Sequence, residues 1–366
     1  MTAGRIFLAV GVAIGLACAS AVVVIVVAKL GRGLVSARSR AMLAPYRRAL
    51  ITVVSGEDED GQGLAALCAV PEPVWARLRP SVVAFLPKVR GAPADNLCEV
   101  MRAHGELEAA NRRLTSRSAV RRARAAYLLG LVRDPRGAAM VLPLLSDHDS
   151  DVRLVATRAL GAIGDPAAAN GVLQALHTQH GQIGVPAWAA AEALLAMGVE
   201  IGQALQTGLA SDDPAVRNVC AMVAGHGSYV STVPALRVLL ATDDEGVVRA
   251  SSALSLGRLG GADDVAILAR HTDASEPTVL RRTCATALGD LGQRESLEAL
   301  AGLLGDDDRG LAERAADSLV RIGAEGIALL EMAAAATSSD PSAMAAGGAL
   351  ELAGLRGQRA VTAAGS

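Results

Sequence analysis

Apolar and polar positions follow one another along most of the chain with the spacing of amphipathic helices. In VRLVATRALGAIG, residues 152–164, apolar side chains recur at steps of three and four. A second helical pattern precedes this type of segment, and an acidic turn such as SDDP, residues 211–214, joins the two. The pattern predicts pairs of short helices that form hairpins.

The helix pairs recur with a fixed period. Nine residues after an apolar residue that precedes arginine, the chain places Gly161, Gly225, Gly257 and Gly289, the last three of them 32 residues apart. Self-similarity of this length is typical of solenoids. The sequence therefore predicts an all-α fold, an α-solenoid of about seven helical hairpins over residues 118–355.

The acidic turns contain residues that start helices. Asp213 is placed to cap the second helix of its pair, and Pro214 stands at the first helical position, where it costs no hydrogen bond. By the same pattern, Glu276 is predicted to cap the next such helix and Pro277 to stand at its first position. An arginine follows one turn into the second helix, and we expect it to contact the acidic turns of its own and the adjacent repeat. These ladder arginines are Arg153, Arg217, Arg249 and Arg281.

The segments DDEGVVRASSALSLGRLG and TVLRRTCATALGDLG resemble HEAT repeats, especially the short bacterial kind related to the phycobilin lyases. The resemblance implies that the second helices line a long concave surface that holds another macromolecule. Ten residues after the repeat apolar residue, polar side chains would point onto that surface. This candidate partner-binding row consists of His226, Arg258, Asp290 and Arg321.

Residues 6–28 contain no charge and predict a membrane-spanning helix. As a helix, these 23 residues would be about 34 Å long, enough to cross a hydrocarbon core of about 30 Å. A cleaved signal peptide, the alternative, would have a shorter apolar region. Residues 1–5 form a short tail and residues 29–40 a basic juxtamembrane linker, so the positive-inside rule places the solenoid in the cytoplasm at the inner membrane.

The small residues Gly11, Gly15 and Ala19 would let two such membrane helices approach closely, which suggests a homodimer. Simple abundance of small residues in membrane segments is the alternative. Between the linker and the solenoid, residues 41–117 predict a diverged helical cap. Residues 356–366 predict a disordered tail.

Charge is distributed unevenly along the chain. Residues 1–140 contain 20 Lys and Arg against 10 Asp and Glu, whereas residues 141–366 contain 15 against 27. A basic cluster near the start of the solenoid suits an anionic membrane surface or an acidic partner; simple solvation is an equal alternative. Nucleic acid is less favoured because aromatic residues make up only 2 % of the chain. The cluster consists of Arg112, Arg113, Arg117, Arg121, Arg122 and Arg124.

Candidate catalytic chemistry is sparse. Cys220 and Cys284 fall at a small-residue position of the repeat and predict core thiols, and no C-x-x-C pair is present. His177 and His180 could share a helix face, but no third metal ligand is near in sequence. We expect no catalytic residues, metal or cofactor. The predicted function is a membrane-anchored, non-catalytic scaffold for a membrane-associated protein; a bilin-lyase-like enzyme or cofactor chaperone is the alternative, and a nucleic-acid-binding protein the third.

Overall fold

The computed structural model describes residues 42–177, 184–335 and 341–364, with side chains as far as residue 354. These ranges contain α-helices and short 3-10 helices but no strand. No helix within them has both the length and the hydropathy to cross a bilayer. The predicted membrane helix at residues 6–28, including Gly11, Gly15 and Ala19, and the linker at 29–40 lie outside the described residues.

The helices are named in chain order. They are α1 (residues 42–55), α2 (Gln62–Cys68), α3 (Glu72–Phe85), α4 (Ala92–Ala103), α5 (Glu106–Leu114), α6 (Ala119–Val132), α7 (Arg136–Val141), α8 (Ser150–Ile163), α9 (Ala169–Gln174), α10 (Ala187–Ala196), α11 (Gly202–Leu209), α12 (Pro214–His226), α13 (Val233–Thr242), α14 (Gly246–Leu259), α15 (Ala262–Arg270), α16 (Thr278–Leu291), α17 (Ser296–Gly302), α18 (Arg309–Ile322), α19 (Ala324–Ala334) and α20 (Pro341–Ala364).

The chain divides into two compact units, one ending at Ala109 and the other beginning at Ala110. The first unit is organised around Trp75, which is 1 % exposed. Its indole Nε1 donates to Glu106 Oε1 at 2.9 Å, and its ring stacks on His104 with centroids 3.9 Å apart. Arg79 completes the cluster with an ion pair to Glu106 at 3.2 Å. The buried carboxylate thus has two donors, as burial of a charge requires.

The second unit is a helical solenoid. It consists of α6 followed by seven hairpins, from α7–α8 to α19–α20. The even-numbered helices from α6 to α20 pack side by side in one layer, and each odd-numbered helix packs on the even-numbered helix that follows it. We call these even-numbered helices the second helices and the odd-numbered ones the first helices. The predicted all-α solenoid is confirmed.

Glycine marks the closest approach between consecutive second helices. A Cβ atom added to Gly257 would stand 2.8 Å from the Cα atom of Ala287 on the next second helix, a distance that real Cβ atoms essentially never show. Four other glycines at this repeat position meet the next second helix within 2.8 Å in the same way. They are Gly130, Gly161, Gly225 and Gly289. The 32-residue glycine spacing therefore reflects backbone packing.

The acidic turns cap second helices as predicted in some repeats. The side chain of Asp213 accepts from the Ala215 amide at 2.7 Å, and Pro214 is the first residue of α12. The prediction was wrong for Glu276, because α16 begins at Thr278 with no side-chain cap. The Glu276 carboxylate is occupied by an ion pair instead.

The C-terminal end of the chain also differs from the prediction. Helix α20 runs from Pro341 to Ala364, so residues 356–364 of the expected disordered tail are helical. The segment QRAVTAA, residues 358–364, contains good helix formers and neither glycine nor proline, which allows the helix to continue.

Candidate partner-binding surface

The ladder arginines connect neighbouring repeats through their acidic turns. Arg217 donates from Nε to Asp243 Oδ2 at 2.7 Å and from Nη2 to Oδ1 at 3.0 Å, while its Nη1 binds the Ser211 carbonyl of its own turn. Arg153 binds the Asp147 carbonyl of its own turn at 2.8 Å. Two further rungs between repeats join Arg249 to Glu276 and Arg281 to Asp306.

Arg122 belongs to this ladder and is misplaced in the predicted basic cluster. It is 6 % exposed, and its guanidinium makes two hydrogen bonds of 2.7 Å to Asp147 of the next turn. Burial opposes ionisation of Asp147, but the bonds from Arg122 and the Asp149 amide outweigh it and lower its pKa. A paired, buried guanidinium offers little to a ligand, so the basic cluster consists of the five other arginines.

Electrostatics within the ladder favour the charged forms. Burial tends to raise the pKa of Asp243, yet hydrogen bonds from Arg217 and the Glu245 amide hold it below its usual value. The hydrogen bond that Arg217 donates to Asp243 in turn raises the pKa of Arg217. The rung therefore stabilises the fold while Asp243 is ionised.

The ladder and the glycine series are both interrupted between α10 and α12, and again at the end of the array between α18 and α20, where Ala312 and Val320 stand at the arginine and glycine positions. Ala187 of α10 stands where most second helices place arginine, and Ser211 stands where the next turn places its acid. At the glycine position α10 has Leu195, which is 37 % exposed. Within the interior of the array, the junction between α10 and α12 therefore lacks the salt bridge and the close glycine contact that join α12 to α14, α14 to α16 and α16 to α18.

The four residues of the predicted partner-binding row all lie at the C-terminal ends of second helices and are exposed, as the repeat alignment requires. The structure pairs two of them: Arg321 Nη1 lies 3.0 Å from Asp290 Oδ1. The other two, His226 and Arg258, form no ion pair with any described residue. The row therefore presents polar groups along α12 to α18.

A second feature of this face was missed from the sequence. Tyr127 on α6 and Trp188 on α10 are each 52 % exposed, although large aromatic side chains are normally well buried. Between them on α8, the Arg158 guanidinium lies over the Trp188 ring, 5.0 Å from its centroid. Arg121 and Arg124 precede Tyr127 at steps of three on the same helix face. We call these five residues the aromatic–arginine patch.

The positive charge of the basic cluster has no counter-charge among the described residues. The five exposed arginines of the basic cluster form no ion pair and no side-chain hydrogen bond with a described residue. They are Arg112, Arg113, Arg117, Arg121 and Arg124. Exposed cations without internal partners remain available to an anionic ligand.

A family model of HEAT repeats matches three overlapping or adjacent segments, residues 108–198, 202–284 and 271–351. Together they cover about two thirds of the chain. The chain belongs to the HEAT-repeat family. No functionally characterised protein matches the sequence significantly.

Solved structures similar to this HEAT-repeat protein share less than a quarter of its residues. Human deoxyhypusine hydroxylase in complex with glycerol is 20 % identical, with 78 % of this chain and 98 % of that chain covered and a TM-score of 0.30. The complex of CpcE and CpcF of phycocyanin lyase from Nostoc sp. PCC7120 is 20 % identical, with coverages of 62 % and 92 % and a TM-score of 0.33. An engineered protein is 18 % identical, with 84 % of this chain and 98 % of that chain covered and a TM-score of 0.38. At these TM-scores the likenesses carry no functional argument.

The described part of the HEAT-repeat surface offers charged and aromatic side chains that could bind a ligand. Among the described residues, no three His, Cys, Asp or Glu side chains are arranged to hold a metal ion. His177 Nδ1 contacts the Asp213 carboxylate, and His180 lies outside those residues. Burial raises the pKa of Cys220 and Cys284 to about 12, so neither thiol is a ready nucleophile at neutral pH.

Proposed function

We propose that this HEAT-repeat protein is a membrane-anchored, non-catalytic scaffold that binds a membrane-associated partner protein through its second helices. The aromatic–arginine patch is the observation that supports this most directly. Tryptophan, tyrosine and arginine are the residue types that dominate protein–protein hot spots, because they combine a large contact area with polar groups. Here Tyr127 and Trp188 expose half of their surface on either side of Arg158.

The charge next to the patch favours an acidic region of the partner. Arg121 and Arg124 lie on the same stripe as Tyr127, and complementary charge would speed and orient the encounter. The row of His226, Arg258, Asp290 and Arg321 would extend the contact along the solenoid. Anionic lipid and nucleic acid are other possible ligands of the basic cluster, and nucleic acid is an outcome of the test below.

The proposed anchor rests on residues 6–28 and their flanking charge. A single uncharged segment of 23 residues with a basic linker after it favours an outside N-terminus and a cytoplasmic solenoid. The basic cluster would then face the anionic inner leaflet or a partner in the same membrane. The spacing of Gly11, Gly15 and Ala19 supports pairing of two copies within the membrane.

The scaffold proposal is tested by cross-linking and affinity purification of the full-length protein from its own membranes. A Tyr127→Ser and Trp188→Ser double variant removes the two exposed aromatics. Its matched control is Val230→Ser and Val238→Ser, which changes two side chains that are 63 % and 59 % exposed on the first-helix side.

A discrete protein that is recovered with wild type and the control but lost with the aromatic variant would support the scaffold. Equal recovery with all three proteins would remove the patch from the interface. Co-purification of nucleic acid or of a small-molecule cofactor, with no protein partner, would overturn the scaffold proposal. Retention of the protein in the soluble fraction after cell breakage would overturn the anchor separately.

A further inference from the structure

A cleft of about 440 Å³ opens between α18 and α20, at the C-terminal end of the solenoid. Along α20 it extends from Pro341 to Leu352, roughly 16 Å at the rise of an α-helix and the length of about five residues of extended chain. Its volume lies in the range of protein ligand sites. This cleft is far along the chain from the aromatic–arginine patch and shares no residue with it.

One wall of the cleft is acidic. Of its four carboxylates, Asp306 pairs with Arg281 and Glu313 pairs with Arg309 at 2.8 Å. The remaining two, Asp307 in the turn before α18 and Asp317 on its exposed face, form no ion pair with a described residue. The wall therefore presents two carboxylates that form no ion pair with a described residue, although Arg309 also lines the cleft.

The opposite wall, formed by α20, is apolar. Met344 is 62 % exposed and Leu352 50 % exposed, and Ala345 and Ala349 lie between them. The α20 residues that line the cleft carry no charge, so from Met344 to Leu352 this wall offers an aliphatic surface about two helical turns long. Exposed aliphatic surface beside carboxylates favours a ligand that has both an apolar and a cationic part.

We propose that this cleft binds an extended segment of a partner protein in which arginine or lysine alternates with aliphatic residues. In an extended chain, successive side chains point to opposite sides. The aliphatic side chains would pack on Met344 and Leu352, while the cationic side chains reach Asp307 and Asp317. The solenoid would thus carry a basic, aromatic site on its first second helices, α6 to α10, and an acidic, aliphatic site between its last two, α18 and α20. The two sites would prefer ligands of opposite charge.

The proposal is tested on the full-length protein in detergent with fluorescein-labelled peptides. The probes are a peptide of four leucine–arginine repeats, one of four leucine–glutamate repeats and one of four leucine–serine repeats. The test variant is Asp307→Asn and Asp317→Asn, which removes charge with almost no change in shape. The control is Asp212→Asn and Asp244→Asn, because both aspartates are exposed and occupy the position of Asp307 in the acidic turns of other repeats.

We expect the leucine–arginine peptide to bind wild type and the control alike, and the test variant about tenfold more weakly, as loss of two partly exposed ion pairs implies. The other two peptides should bind poorly. Met344→Ser with Leu352→Ser should also weaken binding, and circular dichroism checks that each variant is folded.

Three results would overturn the proposal. Equal weakening by the test and control variants would show that the peptide senses only the overall negative charge. Equal binding of the leucine–glutamate peptide would exclude recognition by the carboxylates. A dimer, measured by sedimentation, that dissociates on Met344→Ser would assign the cleft to a second copy of this chain. None of these results depends on the aromatic–arginine patch.

Discussion

The contact between α14 and α16 makes the sharpest prediction about folding. In Gly257→Ala, the new Cβ atom would stand 2.8 Å from the Ala287 Cα and 2.9 Å from the Ala287 Cβ and carbonyl oxygen. Ordinary contact begins at 3.4 Å, so the two backbones must separate by about half an ångström or more. Backbone atoms cannot rotate away as a flexible side chain can. Overpacking of this kind costs about 1–3 kcal/mol.

The same substitution in open space separates packing from helix propensity. Gly347 lies inside α20, and a Cβ atom there would meet nothing within 4 Å. Gly347→Ala should therefore stabilise the protein by up to about 1 kcal/mol, the gain in helix propensity. Because Gly257→Ala has the same gain, the difference between the two variants isolates the packing cost, about 1–3 kcal/mol.

The assay is urea unfolding of full-length protein in detergent, followed by circular dichroism at 222 nm, with the slope checked because repeat arrays can lose cooperativity. We expect the midpoint to fall for Gly257→Ala and to stay or rise for Gly347→Ala. Equal midpoints for the two variants, or stabilisation by Gly257→Ala, would refute the close packing of second helices.

Three further predictions concern the ladder, its interruption and the buried thiols. Asp243→Ala should lower stability by about 1–3 kcal/mol by leaving Arg217 without its acceptor, whereas the exposed neighbour Asp244→Ala should change it by less than about 0.5 kcal/mol. The folded pKa of Asp243 lies below its unfolded value of about 3.9. The rung therefore stabilises the fold above that pH, and its contribution is lost as pH falls through the folded pKa. In an acid titration, the free energy of unfolding should fall more steeply for wild type than for Asp243→Ala. Hydrogen exchange should show a step in protection between α10 and α12, and equal protection of the helices on both sides would contradict a weak junction there. Cys220 and Cys284 should resist maleimide at pH 8 until the protein is unfolded, and rapid labelling of either would contradict their burial.

The repeat architecture could be predicted because its determinants are local and periodic. Arg217, for example, stands at a fixed distance from its own turn and from Gly225, so sequence spacing alone places it on the helix. The helical register of a repeat was harder to predict. In AVRR, residues 119–122, two arginines fit the motif, and the structure puts Arg122 rather than Arg121 in the ladder. A shift of one residue rotates a side chain by about 100° around the helix, from the exposed face to the buried one.

The aromatic–arginine patch could not be predicted from local pattern in the same way. Arg158 and Trp188 are 30 residues apart, and they meet only because α8 and α10 are held close by Gly161. The repeat containing Trp188 lacks the arginine and the glycine that make the motif recognisable, so sequence spacing alone does not fix its register against the other repeats. The absence of those two residues was itself the available signal that this repeat differs.

The central claim, that the second helices hold a protein partner, is tested most directly by photo-cross-linking in the cell. A benzophenone amino acid replaces Tyr127, which keeps an aromatic group on the second-helix face, or Val238 on first helix α13. Both positions are more than half exposed, so reactivity toward solvent is matched. We expect a discrete cross-link to another protein from position 127 and none of that species from position 238. The same cross-linked species at equal yield from both positions, or only nucleic acid or lipid at position 127, would contradict the claim.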